Sequence, residues 1–295
     1  MGGGSRQRSG DSGATTYQAT IVDFARAPPQ LREADGAPTW IARAANFVVA
    51  VTCASRGTRL VRSAQPDEYV VVTPPDLAAR VSAGRQAIRA VPDSLTIVPP
   101  GASEIVAEGD GYVYRIFSNR AEDVAALSCN ASVYARDIPA VAELKPWPDP
   151  IGGFKLRTYP LAEERAGNAL GRIYRCTNLM LNVLEPFSGP RDNAALTPHL
   201  HEDFEQGSLT LVGAYEHCLR TPWGPDRSRW KPDQIVGCGS PSLTVIPAGM
   251  IHTTVWHDKG GRMIDIFAAP RVDFSARHGW VRNAAEYPVP DDRPR

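Results

Sequence analysis

Histidine and cysteine are both scarce in this chain, and histidine is missing from its first two-thirds: the first of only six is His199. The five cysteines (Cys53, Cys129, Cys176, Cys218 and Cys238) are odd in number, widely scattered and without a CxxC pair. That pattern is a poor disulfide framework and fits reduced thiols, so a cytoplasmic location is expected. Long apolar runs are lacking too. The longest, Phe47 to Val51, is far too short to span a bilayer. Charge of one sign is not in excess, with 32 Lys plus Arg against 32 Asp plus Glu. A dedicated binder of nucleic acid or of an anionic membrane would carry a basic surplus, so neither partner is expected. Residues 1–16 are rich in Gly, Ser and Arg and have no apolar centre of the kind a secretory signal needs. They are expected to be a disordered leader outside the fold.

What is present is 43% hydrophobic and 22% charged, enough to bury a real core. The 26 prolines and 25 glycines together exceed one residue in six, which suits many short strands joined by turns. At about 150 residues per domain the length predicts one large domain or two medium ones. Runs of β-branched and aromatic residues bounded by Pro, Gly, Asp or Asn predict strands at 47–52, 69–73, 94–98 and 112–117. A second set is predicted at 172–176 running on into 178–183, then at 208–212, 243–246 and 263–267. Short helices are expected at 120–127 and 138–144. The segment Lys145-Pro-Trp-Pro-Asp-Pro150 is too proline-rich for either element and is expected to be a linker. The domains are therefore drawn as 17–150 and 151–295.

The two halves resemble each other. Ser94-Leu-Thr-Ile-Val-Pro-Pro-Gly101 aligns without a gap on Ser242-Leu-Thr-Val-Ile-Pro-Ala-Gly249, and each copy is followed by a strand ending in Ile-Phe. A repeat this long means duplicated domains rather than a solenoid. Three residues past the shared glycine the copies diverge: the first has Glu104, the second His252.

Chemistry concentrates at His199-Leu-His201-Glu-Asp-Phe-Glu205. On one strand His199, His201 and Glu205 share parity and project to one side. Two imidazoles and a carboxylate form a donor set that first-row divalent metals favour. His252, placed by the Pro247-Ala-Gly249 turn, would complete a three-histidine, one-carboxylate shell. Asp203 has the same parity, so the carboxylate is either Glu205 or Asp203. The other histidines, His217, His257 and His278, are expected at the surface.

These two motifs, His199-x-His201-x-x-x-Glu205 and Pro247-x-Gly249-x-x-His252, resemble the signature motifs of the cupin superfamily, and the duplicated strand set resembles a bicupin. Two positions depart from that pattern: Asn193 stands where a glycine often precedes the first histidine, and the glycine after Glu205 comes one residue late, at Gly213. The resemblance implies an all-β fold of two jelly-roll barrels with a few short helices. It also implies one divalent metal held by His199, His201, Glu205 and His252 in the C-terminal barrel, with iron(II) first and manganese, nickel or zinc as alternatives. The N-terminal barrel has no histidine, and Glu68 and Glu104 alone are poor ligands for such a metal, so a structural, metal-free role is expected there.

Candidate pocket residues are Asn178 and Asn182 on the strand before the histidines, Thr254 and Trp256 following His252 at strand spacing, and Arg220 at the start of a Trp- and Arg-bearing insertion, 220–230. The activity expected is a mononuclear non-haem iron dioxygenase acting on a small anionic aromatic or diketone-like compound. Redox-neutral isomerase, lyase or hydrolase chemistry and a non-catalytic binding role are the alternatives. A small-molecule substrate and at most a second copy, as a homodimer, are the expected partners.

Overall fold

The computed structural model describes residues 17–161, 171–184, 186–220 and 234–291; the expected leader, 1–16, lies outside them. In chain order the strands are β1 (Thr20–Asp23), β2 (Leu31–Arg32), β3 (Pro38–Arg43), β4 (Phe47–Ala54), β5 (Arg59–Gln65), β6 (Tyr69–Thr73) and β7 (Ala79–Ala83). There follow β8 (Gln86–Ala90), β9 (Ser94–Val98), β10 (Gly101–Ala107), β11 (Gly111–Ser118), β12 (Arg157–Pro160), β13 (Arg172–Arg175) and β14 (Met180–Val183). The last are β15 (Gln206–Val212), β16 (Tyr215–Arg220), β17 (Gln234–Cys238), β18 (Ser242–Ile246), β19 (Ile251–Trp256) and β20 (Arg262–Phe267). The two α-helices, α1 (Glu122–Ala126) and α2 (Val272–Ser275), are single turns.

Each half closes a large sheet over a small one. The first barrel has the order β12-β9-β6-β11-β4-β3-β2 facing β5-β10-β7-β8; the second has β1-β18-β15-β20-β14-β13 facing β17-β16-β19. The boundary expected near residue 150 does not separate these sheets. β12 lies beyond it yet pairs with β9 of the first barrel, and β1 lies at the other end of the chain yet pairs with β18 of the second. β9 and β18 are the two copies of the repeated Ser-Leu-Thr segment. Each copy thus receives an edge strand from the opposite half, which covers an edge that would otherwise be open to other chains.

Two readings of local structure are corrected. Residues 172–183 form a hairpin, with Cys176 N–H donating to the Leu179 carbonyl at 2.9 Å between β13 and β14. Residues 138–144 are not helical. The Ala142 N–H donates to the Asp203 carbonyl (2.8 Å) and its own carbonyl accepts from Asn46 Nδ2 (2.8 Å), so tertiary bonds take the groups a helix would have used. The helix expected at 120–127 is α1.

Strand alternation sends apolar residues to two places. Phe47, Val49 and Val51 of β4 and Tyr114 and Ile116 of β11 meet Leu181, Leu209, Val245 and Ile266 from the other barrel, making one core between the large sheets. Burying both apolar faces there holds the two barrels together. Gly207 on β15 belongs to that contact: a Cβ at this position would stand 2.7 Å from the Phe47 ring.

The barrel interiors differ. In the first, Val48, Leu60, Tyr69, Val81, Ile105 and Phe117 pack into a continuous apolar core spanning both sheets. The second has only small apolar clusters, and polar side chains (Asn182, Gln206, Ser208, Thr244, His252 and Thr254) are buried in it. A packed core stabilises, whereas a cavity with a few buried polar groups is the usual form of a small-molecule site. Among the described residues no helix is long and apolar enough to cross a membrane.

Candidate metal centre

The Pro247–Gly249 turn joins β18 to β19 and places Gly249 at φ +75°, a conformation that suits glycine. Past the turn His199 and His252 form an antiparallel bridge, with His199 N–H donating to the His252 carbonyl at 3.0 Å and the reverse bond at 2.8 Å. Gly249 N–H donates to the His201 carbonyl at 2.6 Å. Backbone pairing between the two motifs therefore brings His199, His201 and His252 together, with one ring nitrogen from each lying within 4.8 Å of the others.

The imidazoles are oriented for ligation. His199 Nδ1 is 2.9 Å from the Thr197 carbonyl and His252 Nδ1 is 2.9 Å from the Met250 carbonyl. A carbonyl can only accept, so each Nδ1 carries the proton and each Nε2 keeps its lone pair. Phe204 stacks on the His201 ring at 4.5 Å between centroids. Burial holds His201 down to about 3 and His252 down to about 4, so both are neutral at ordinary pH, the form that binds a metal.

Glu205, the carboxylate expected beside the histidines, points away from them. Glu205 is buried, but its carboxylate faces the first barrel, where Oε1 accepts from the hydroxyls of Tyr17 (2.5 Å) and Tyr134 (2.8 Å) and Oε2 accepts from the Ala45 N–H (2.5 Å). Asp203 is exposed. The parity argument assumed one continuous strand from 199 to 205, whereas the chain bends at Glu202 and Asp203 and the regular strand begins at Gln206. Gln206 turns inward, with Oε1 2.9 Å from His201 Nε2 and 3.4 Å from His252 Nε2. Its Nε2 donates to Asp265 Oδ1 at 3.0 Å, and Ser208 Oγ donates to the same oxygen at 3.0 Å. Because a carboxylate takes the amide N–H, the amide oxygen must face the imidazoles. The signal for Gln206 was in the sequence: Gly213, one residue late for Glu205, is on time for its neighbour.

The cluster opens on a cavity of about 860 Å³ whose walls include Asn182, Thr254 and Trp256 among the expected pocket residues, together with Arg191, Asp265 and Arg271. Asp265 lies at the cavity wall, and burial raises its carboxyl to about 6. Asn178 is not in this cavity; it sits in the turn before β14 and its Nδ2 donates to Asp67 of the first barrel. Arg220 ends β16, pairing with Ile251, but its side chain and residues 221–233, which include the rest of the insertion, lie outside the described residues. His217 is not at the surface: it is fully buried, with Nδ1 3.1 Å from Thr254 Oγ1, and burial lowers it to about 4. His257 and His278 are exposed.

In the first barrel the acids named as poor ligands have other partners. Glu104 pairs with Arg59 at 2.5 Å. Glu68 is buried between the barrels, accepting from the Thr177 N–H (3.1 Å) and the Tyr287 hydroxyl (2.8 Å).

No protein-family model matches the chain, and no curated protein matches it in sequence. Solved structures do match. Oxalate decarboxylase from Bacillus subtilis at pH 4.6 superposes with a TM-score of 0.52 at 15% identity, over 84% of this chain and 76% of that one. AerE from Microcystis aeruginosa gives 0.52 at 9% identity, over 79% of this chain and 93% of that one. The formate complex of Lactobacillus farciminis oxalate decarboxylase gives 0.51 at 12% identity, over 85% and 86%. Likeness at such low identity speaks for the fold alone. It is the all-β cupin fold, built here as two barrels.

Proposed function

We propose that the chain is a metal-dependent enzyme whose second barrel holds one divalent cation on His199, His201 and His252, with the Gln206 amide oxygen as fourth donor. The observation that carries this reading is the convergence of three imidazoles within 4.8 Å, two of them pinned through Nδ1 to backbone carbonyls. The Gln206 oxygen stands at a spacing that suits a shared cation, toward which the imidazole nitrogens, within 4.8 Å of one another, would draw closer. With bonds of about 2.1 Å, neighbouring ligands stand roughly 3.0 Å apart in an octahedron and 3.4 Å in a tetrahedron, and Gln206 Oε1 lies 2.9 and 3.4 Å from two of the ring nitrogens. Imidazole-rich sets suit iron, nickel and zinc, and the oxygen donor admits manganese.

All four donors are neutral. A divalent cation would therefore keep both its charges, and a small anionic, chelating substrate would balance them. A bound divalent metal supplies Lewis acidity and, as iron(II), the redox chemistry of a non-haem oxygenase. The chain does the rest. The carbonyls of Thr197 and Met250 fix the imidazole tautomers, Asp265 and Ser208 fix the Gln206 amide, and Phe267 and Phe274 give the cavity an apolar flank that limits water.

Iron(II) dioxygenase chemistry on an anionic aromatic or diketone-like compound is our first reading of the reaction. Asp265 favours a second, redox-neutral lyase or isomerase chemistry, because it sets a carboxyl group on the cavity wall beside Gln206, where a proton donor or acceptor would serve such a reaction. One experiment separates them: metal analysis of protein purified without chelator, then turnover of small chelating anions with and without oxygen. One iron per chain and turnover that stops without oxygen is the expected result. A manganese or zinc protein whose turnover is indifferent to oxygen establishes the second reading, and a protein that binds no divalent metal overturns both.

A further inference from the structure

We propose that Arg191 binds a second, terminal carboxylate of the substrate, so that the cavity selects short two-headed acids: chelating oxygens at one end, a carboxylate at the other. The assignment rests on the metal reading above for the chelating end only. Arg191 lies between β14 and His199 and lines the same cavity as the histidine cluster.

Its guanidinium is held from three directions. Nη1 donates to the Thr254 carbonyl at 2.5 Å, Nη2 donates to Thr197 Oγ1 at 2.8 Å, and the group lies 5.0 Å from the centre of the Trp256 ring. Trp256 is itself fixed, stacked on Phe187 at 3.6 Å with Nε1 donating to the Gly189 carbonyl at 3.0 Å. Trp256, itself part of the cavity wall, thus packs the arginine in place. A guanidinium immobilised in this way has already lost the rotamer freedom that carboxylate binding would otherwise cost.

Among the described residues its charge has no acidic counterpart, whereas the other cavity arginine, Arg271, already holds Asp273 at 2.5 and 2.9 Å. Arg191 spends one N–H of each terminal nitrogen on neutral oxygens, and among the described residues nothing else takes its remaining N–H groups, which can bind a carboxylate.

Position gives the length of the ligand. Thr254 is two residues from His252 in β19, so this anchor stands about 7 Å along extended chain from a clustered histidine. An acid that reaches from the cluster to Arg191 needs a backbone on the order of four to six carbons at this spacing. Oxalate, with its carboxylates on adjacent carbons, cannot bridge the two.

The test is calorimetric binding of 2-hydroxyglutarate and of 2-hydroxypentanoate, which has the same chain length and chelating end but lacks the second carboxylate. Zinc-loaded and metal-free protein are both titrated, zinc keeping redox chemistry out. Wild-type protein is expected to prefer the dicarboxylate by about 10- to 100-fold, the worth of a charge-assisted hydrogen-bonded contact. R191Q should erase that preference without changing zinc content or affinity for the monocarboxylate, and R191K should restore part of it. A preference that survives R191Q, or a wild type with none, overturns the assignment. Failure of the metal reading looks different: zinc then improves neither ligand, while an Arg191-dependent preference for the dicarboxylate persists in metal-free protein.

Discussion

Replacing His201 with alanine is expected to lower metal affinity by more than about 100-fold, since loss of even an outer-shell partner costs 10- to 100-fold and His201 would be a direct donor. Among the described residues, the groups first considered as neighbours or ligands are otherwise placed. His217 is bonded to Thr254, Asp203 is exposed, and Glu205 is engaged with two tyrosines and a backbone amide. The substitution also removes the ring on which Phe204 stacks, so thermal stability must be measured beside metal content. A folded H201A protein that retains a full equivalent of metal would contradict the site.

The second large effect is on stability alone. Glu205→Ala leaves the Tyr17 and Tyr134 hydroxyls and the Ala45 N–H without their common acceptor, at the junction of the N-terminal segment, the first barrel and the second. At about 1–3 kcal/mol for each buried group left unpaired, with water recovering part, the expected cost is about 3 kcal/mol. That corresponds to a fall in Tm of roughly 5–10 °C. Metal content should not change. Calorimetry and elemental analysis on the same sample check both halves of this expectation, and loss of metal from a variant of near wild-type Tm would return Glu205 to the ligand set.

The contrast between Glu205 and Gln206 marks the limit of what the sequence made legible. His199, His201 and His252 could be read because strand alternation and a Pro-x-Gly turn are local rules. The identity of the acceptor beside them depended on where a strand resumes after a bend. That was set by the backbone pairing of 206–212 with β18 and β20, not by the pattern of residues 199–205. Asn178 went astray for the same reason, because a hairpin turn stood where one continuous strand was expected and turned the side chain toward Asp67.

The strands themselves were largely legible, but the partners of β1 and β12 were not. An edge strand's choice of sheet at such separations in sequence follows from the shape of the assembled core, on which no local periodicity bears. Arg191 and Asp265 carry no motif. Their significance comes from what stands beside them: Trp256, Thr254 and Thr197 for one, Gln206 and Ser208 for the other.

The most direct measurement is an anomalous-difference map from crystals of the protein loaded with a single divalent metal. The account predicts one strong peak in the second barrel, about 2.0–2.3 Å from a ring nitrogen of each of His199, His201 and His252 and from the Gln206 amide oxygen. A map with no peak among those histidines, or with the peak on the Glu205 carboxylate, would contradict it.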